Sequence, residues 1–213
     1  MYNFIEKTSS NIAFTLCKSK DKSSEEFNVL KYGVFIVVHT SIAIISTLLI
    51  GILTNTLLEI SIISLFAALI KRYSGGVHST SPNRCIITGI IVSYVFVLTG
   101  KFIASLELEY FYIIGVISLV HSFIILYKKC PVPSKNKPIK KEETRNRLRK
   151  HAFFMYFICI VLFIISILQN TYTTLNYLVL YMILGLYMQT LSLTSMGSNF
   201  ILFLDRVLKK LKI

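Results

Sequence analysis

His78 and Cys85 stand seven positions apart in the polar stretch Lys-Arg-Tyr-Ser-Gly-Gly-Val-His-Ser-Thr-Ser-Pro-Asn-Arg-Cys, which runs from 71 to 85 between apolar runs. A cysteine thiolate attacks peptide carbonyls, and an imidazole can take the thiol proton and return it to the leaving amine. The pair points to a cysteine peptidase. Ser81 before Pro82 is a helix-start signal, because Pro lacks the N–H that the first helical position would leave unpaired. The spacing therefore predicts Cys85 in the first turn of a helix, where the positive end of the dipole favours a thiolate and Arg84 with Lys71 or Arg72 adds to it. His78 falls just before the cap. Gly75 and Gly76 give a permissive backbone that lets the histidine approach and leaves room for an extended peptide. Amides of the first helical turn or of the Gly-Gly segment offer an oxyanion hole. No Asp or Asn is assigned to orient His78, so the expectation is a dyad.

The elements that must hold this loop are membrane helices. Hydrophobic residues make up 54% of the chain and charged ones only 15%, with a mean hydropathy of +0.66, too apolar for an ordinary soluble domain. Apolar runs at about 33–53, 54–70, 86–103, 111–127, 152–168 and 175–195 approach the roughly 20 residues that cross a bilayer. The expected fold is all-α: a single polytopic membrane domain over 1–213 with six spans. An amphipathic segment over 1–32, with Phe4, Ile5, Ile12, Ala13 and Leu16 on one face, and a basic amphipathic helix over 199–213 flank them. No removable signal peptide is expected, the first span serving for insertion. The competing arrangement has four spans, with the 54–70 run re-entrant or interfacial because Thr54, Asn55, Thr56 and Glu59 interrupt it.

Charge sets the orientation. The formal net charge is +13, and ten Lys and Arg residues fall between Lys128 and Lys150, five before Gly33 and four after Leu204. Lys71, Arg72 and Arg84 add to them, and only Lys101 lies elsewhere. Six spans put all these clusters on one side, and the positive-inside rule makes that side cytoplasmic, together with both termini and the 71–85 loop. The connections near 54–56, 104–110 and 169–174 should face outward. No nucleic-acid motif accompanies the charge, so membrane lipids, including anionic inner-leaflet lipids, and an acidic peptide are the expected partners.

Other reactive residues have plainer readings. Cys17, Cys85, Cys130 and Cys159 form no CxxC, and the thiols should be free. One His and one Cys are too few for zinc, and His39 and His121 are expected to pack or to hydrogen-bond between helices, so no metal and no cofactor is assigned. Glu59 is a carboxylate in or near the membrane, expected to act as a snorkelling anchor.

The string Arg-Tyr-Ser-Gly-Gly-Val-His followed by Cys85, with Pro131 and Asn136-Lys137-Pro138-Ile139 opening a basic loop, resembles the accessory gene regulator B (AgrB) family of Gram-positive bacteria. The resemblance covers the whole chain. It implies a multi-pass bacterial cell-membrane cysteine endopeptidase that trims a short propeptide and promotes its cyclisation to a quorum-sensing thiolactone or lactone. It implies His78 and Cys85 as catalytic residues, with Arg72, Gly75 and Gly76 shaping the site, and suggests a homodimer. The implied propeptide has an amphipathic leader and an acidic tail. That tail finds its complement in the 128–151 loop, at Lys137, Pro138, Lys140, Lys141, Arg145 and Arg147. The contrasting reading is a small non-enzymatic membrane transporter or peptide-export partner in which His78 handles protons.

Overall fold

The computed structural model describes residues 2–17, 24–133, 139, 141–169 and 174–211, in eight α-helices. They are α1 (Tyr2–Cys17), α2 (Ser24–Leu53), α3 (Leu57–Ser74), α4 (Pro82–Ala104), α5 (Leu108–Lys129), α6 (Glu142–Leu168), α7 (Thr174–Ser192) and α8 (Ser195–Lys210). Each apolar run falls in one of α2 to α7, except that 54–56 precede α3 and 193–195 lie past the end of α7. Helix α2 starts nine residues ahead of its run, where Ser24 is followed by Glu25 and Glu26, acidic residues that suit the positive end of a helix.

Five of these helices, α2, α4, α5, α6 and α7, are long and apolar enough to cross a membrane. Helix α3 differs because Glu59 near one end and Lys71 and Arg72 at the other charge an 18-residue segment. At 1.5 Å per residue it is about 27 Å long, close to the hydrocarbon thickness. It is nevertheless unbroken and central. Its stripe Ile60, Ile63, Ala67 and Ile70 is buried, and its principal partner is α7. A re-entrant break is absent from it.

Helix α7 is the axis of the bundle, in contact with α3, α4, α5, α6 and α8. Lipid offers apolar side chains as good a solvent as a protein core does, so close backbone approach and polar pairs must bind membrane helices together. Both occur here. A Cβ added to Gly185 would lie 2.6 Å from the Ile63 carbonyl oxygen, so only glycine lets α3 and α7 meet there. Ser122 and Thr190 share a hydrogen bond of 3.0 Å between α5 and α7. Glu59 is buried and accepts from the Tyr177 hydroxyl at 2.5 Å. This corrects the snorkelling reading: the carboxylate turns inward because a phenol on α7 meets it.

Helix α1 packs on α2. Its buried residues are Ile5, Ser9 and Ala13, four apart on one face, whereas Ile12 and Leu16 are exposed. The contact stripe is therefore narrower than the apolar face read from the sequence. Helix α8 turns Leu208 and Asp205 inward against α4 and α7 and leaves Phe200, Phe203 and Val207 exposed. Thr194 caps it, accepting from the Gly197 amide at 3.0 Å.

Candidate functional site

The 75–81 connection joins α3 to α4 and is held at three points. Gly75 and Gly76 have φ values of +72° and +125°, a region that L side chains rarely adopt. Gly75 forms a parallel bridge with Val132, whose amide donates to the Ser74 carbonyl at 2.8 Å. A Cβ at Gly75 would lie 2.0 Å from the Val132 carbonyl oxygen, and one at Gly76 would lie 3.2 Å from Leu193 Cδ2. The space vacated by the glycines is thus occupied by the chain's own 132 and 193 positions. Further support comes from Gln189, which donates to the Gly75 carbonyl at 2.9 Å, and from Lys71 Nζ, which donates to the Val77 carbonyl at 3.2 Å.

The third anchor was not foreseen from the sequence. Asp205 of α8 accepts from the Thr80 amide at 3.3 Å, from the Thr80 hydroxyl at 2.8 Å and from Arg84 Nε at 2.9 Å. Arg84 also donates to the Thr80 hydroxyl at 2.8 Å. Burial works against the Asp205 carboxylate, but the hydrogen bonds from Thr80 and Arg84 and the guanidinium charge outweigh it and hold the group below the usual carboxylate range. Arg84, expected to face the thiol, instead pairs with this carboxylate. A sequence signal existed: Asp205 is the only acidic side chain after Glu143, and it lies among Arg206, Lys209 and Lys210 on the face shared with Ile201 and Leu208.

Helix α4 begins at Pro82, as the Ser-Pro signal predicts, with Ser81 extended at the cap position. The Ser81 side chain makes no capping bond. Cys85 sits in the first turn, where its amide donates to the Ser81 carbonyl at 2.9 Å. The Cys85 N–H is therefore used by the helix and is not open to serve as an oxyanion donor. Lys71 is the cation whose charge bears on Cys85. Arg72 is exposed, its guanidinium 5.8 Å from the Tyr73 ring centroid.

Among the described residues no hydrogen bond joins His78 to Cys85, and His78 is exposed at the surface of the loop. The loop nevertheless disfavours its protonated form: partial burial first, then the charges of Lys71 and His39, bring the imidazole down to about 4. It is neutral at physiological pH, one ring nitrogen unprotonated but its basicity weakened by the same burial and charges. His39 reaches across from α2, its Nε2 donating to the Pro82 carbonyl at 3.2 Å. His121 pairs with the Tyr187 hydroxyl at 3.1 Å. No group of three or more metal-ligating side chains occurs among the described residues.

Cys85 opens onto a cavity of about 230 Å³ enclosed by α2, α3, α4, α7 and α8. Apart from Lys71, His39 and Gln189, its lining is apolar or carries only small hydroxyls, and it includes Ala43, Ala67, Ile86, Gly89 and Met188. Cys130 and Cys159 have no such access. Cys159 is buried, and burial raises the Cys130 thiol to about 11 against the opposing charge of Arg149. Brief treatment with a small maleimide at pH 7.5, followed by peptide mass mapping, should label Cys85 at least tenfold faster than Cys130. Equal rates would show that Cys85 is as inaccessible as its buried counterpart.

Of the basic-loop residues, Lys141, Arg145 and Arg147 are exposed around the start of α6. Lys137, Pro138 and Lys140 lie outside the described residues. The Gly75–Val132 bridge joins the start of this loop to the His-Cys loop.

The accessory gene regulator B family profile matches residues 9–193. The chain is 31% identical over 212 residues to "Putative AgrB-like protein 2" of Clostridium perfringens strain 13, covering 97% of this chain and 99% of that protein. It is 32% identical over the same shares to "Putative AgrB-like protein" of Clostridium perfringens strain SM101. A third relative, "Putative AgrB-like protein 1" of strain 13, is 27% identical over 162 residues, 74% of this chain and 84% of that protein. No solved structure matches. With one profile spanning the loop and every lining residue of the cavity but Ile201, the chain belongs to the accessory gene regulator B family, which acts in quorum-sensing peptide processing.

Proposed function

We propose that the protein is a membrane cysteine endopeptidase that removes the C-terminal tail of a quorum-sensing propeptide and promotes its cyclisation. The observation that carries this reading is the setting of Cys85: a cysteine in the first turn of α4, beside Lys71, opening on an apolar cavity. Its sulfur attacks the carbonyl that precedes the tail. The thiol proton passes to neutral His78, which must come within hydrogen-bond reach of the sulfur, and then to the departing amine. A thioester remains. A Cys or Ser inside the peptide attacks it, closes the ring and regenerates Cys85. Water competes at that step, and an apolar cavity at the membrane interface favours the internal nucleophile.

The distribution of basic residues supports a cytoplasmic position for the loop and both termini. The amphipathic leader then lies on the inner leaflet, and the acidic tail meets the cations around the start of α6, Lys141, Arg145 and Arg147 among them. The test uses the full chain in lipid nanodiscs and a propeptide whose internal Cys or Ser is replaced by alanine, so that ring closure is blocked. Intact-mass spectrometry should show the enzyme carrying the peptide without its tail, released by neutral hydroxylamine. A free, intact propeptide with no adduct would count against the peptidase reading.

A further inference from the structure

Within the cavity, Thr88 is anomalous. Several helical threonines elsewhere in the chain turn the hydroxyl back onto the carbonyl four residues earlier: Thr15 to Asn11 at 3.0 Å, Thr47 to Ala43 at 2.8 Å and Thr99 to Val95 at 3.0 Å. That bond is the usual refuge for a hydroxyl on a membrane helix. Thr88 does not make it. Its residue is only 4% exposed, its Oγ1 is buried with no partner, and it lines the cavity. A buried hydroxyl left open in an apolar site awaits a polar group brought by a ligand.

The position is informative. Thr88 and Gly89 follow Cys85 by three and four residues, one helical turn deeper along the same side of α4. Gly89 also lines the cavity, and a Cβ built on it meets nothing within 4 Å. Its lack of a side chain therefore keeps space open rather than relieving a clash. Beyond it, Ser64 bonds Ser93 at 3.2 Å and Ser93 reaches Met188 Sδ at 4.0 Å, so the polar groups of the floor are occupied with one another. An engineered cavity of about 150 Å³ accepts benzene, so about 230 Å³ has room for one large apolar side chain.

We propose that this cavity is the subsite for the peptide residue whose carbonyl Cys85 attacks, that it takes a large apolar side chain, that Gly89 sets its size limit and that Thr88 hydrogen-bonds the peptide backbone there. This rests on the peptidase reading and adds a specificity to it. The occupant is apolar because, apart from Lys71, His39 and Gln189, the wall is built of apolar and small hydroxyl-bearing side chains, and its carbonyl is placed at Cys85 because Cys85 forms part of the same wall.

The test compares the full chain in nanodiscs with Gly89→Leu and Thr88→Val, using propeptides that carry Gly, Ala, Leu, Met, Phe or Asp before the cleaved bond. The wild type should prefer Leu, Met or Phe over Gly or Asp by at least about tenfold in kcat/KM. Gly89→Leu should reverse that order in favour of Ala and Gly. Thr88→Val, which removes the hydroxyl at constant shape, should lose up to about tenfold with the preference unchanged. A wild type indifferent to this residue, or a Gly89→Leu enzyme that keeps the wild-type order, overturns the subsite. Labelling of Cys85 by methyl and benzyl methanethiosulfonates reports on the cavity without catalysis, and Gly89→Leu should slow the benzyl reagent selectively. If that selectivity appears but no propeptide is cleaved by the wild type, it is the peptidase reading that has failed, and the peptide assignment with it. Equal benzyl rates in both proteins reject the size gate itself.

Discussion

Cys85→Ala should abolish tail release, a loss on the order of 10⁴-fold or more, because in the proposed mechanism Cys85 forms the thioester. The protein itself should survive the change. Cys85 is half-buried beside a cavity, and its side chain makes no hydrogen bond among the described residues, so stability should shift by less than about 1 kcal/mol. Membrane level by immunoblot and tail release by mass spectrometry separate the two effects, and a cleaving Cys85→Ala enzyme would end the assignment. His78→Gln should cost roughly 10²- to 10⁴-fold, the range for a lost proton carrier.

The acidic limb of the pH profile gives a finer check on His78. An ordinary imidazole is half protonated near pH 6.5 and would lose its capacity as a base there. Burial and the cations nearby depress this one, so the neutral form persists as pH falls through 6.5 and gives way only near 4. Cleavage should therefore hold from pH 7 to about pH 5 and decline below. A limb centred at 6.5 would mean that His78 is not the titrating base, or that the bound peptide restores its ordinary basicity.

The second large effect belongs to Asp205. Asp205→Ala removes the acceptor that Arg84 and Thr80 share: the Arg84 and Asp205 side chains are only 14% and 4% exposed, and taking the carboxylate from a largely buried ion pair is costly. A displacement of about 1 Å at a catalytic group costs as much as 10²-fold, so kcat should fall roughly 10- to 100-fold with KM little changed. Asp205 does not touch the reacting atoms, and its role is positional. Accordingly Asp205→Asn, which keeps an acceptor for Thr80, should recover part of the loss. The pair Asp205→Ala and Arg84→Ala should combine to much less than the sum of the single changes. Full additivity would show that the two residues act independently.

How much of this was legible beforehand follows from the range over which each feature is encoded. The apolar runs had to appear because the bilayer fixes the length of a span, and Ser81-Pro82 announced the start of α4 within two residues. Local rules read local facts. Arg84 was misread because its partner lies 121 residues away, and nothing within its own helix betrays the pairing. The Gly75–Gly76 pair was recognised as unusual, but the sequence does not reveal that Val132 and Leu193 fill the space beside it. Glu59 met the same fate through Tyr177, 118 residues on. Thr88 and Gly89 resemble ordinary small residues in an apolar run, and only the geometry of the cavity distinguishes them.

The link from Thr80 to Asp205 also carries a temporal meaning. The carboxylate that fastens the loop is translated 125 residues after the threonine it holds, several seconds later at about 5–20 residues per second. A half-made chain thus already contains His78 and Cys85 but not the brace that fixes their approach. On the proposed mechanism, the site is braced only once α8 has been made.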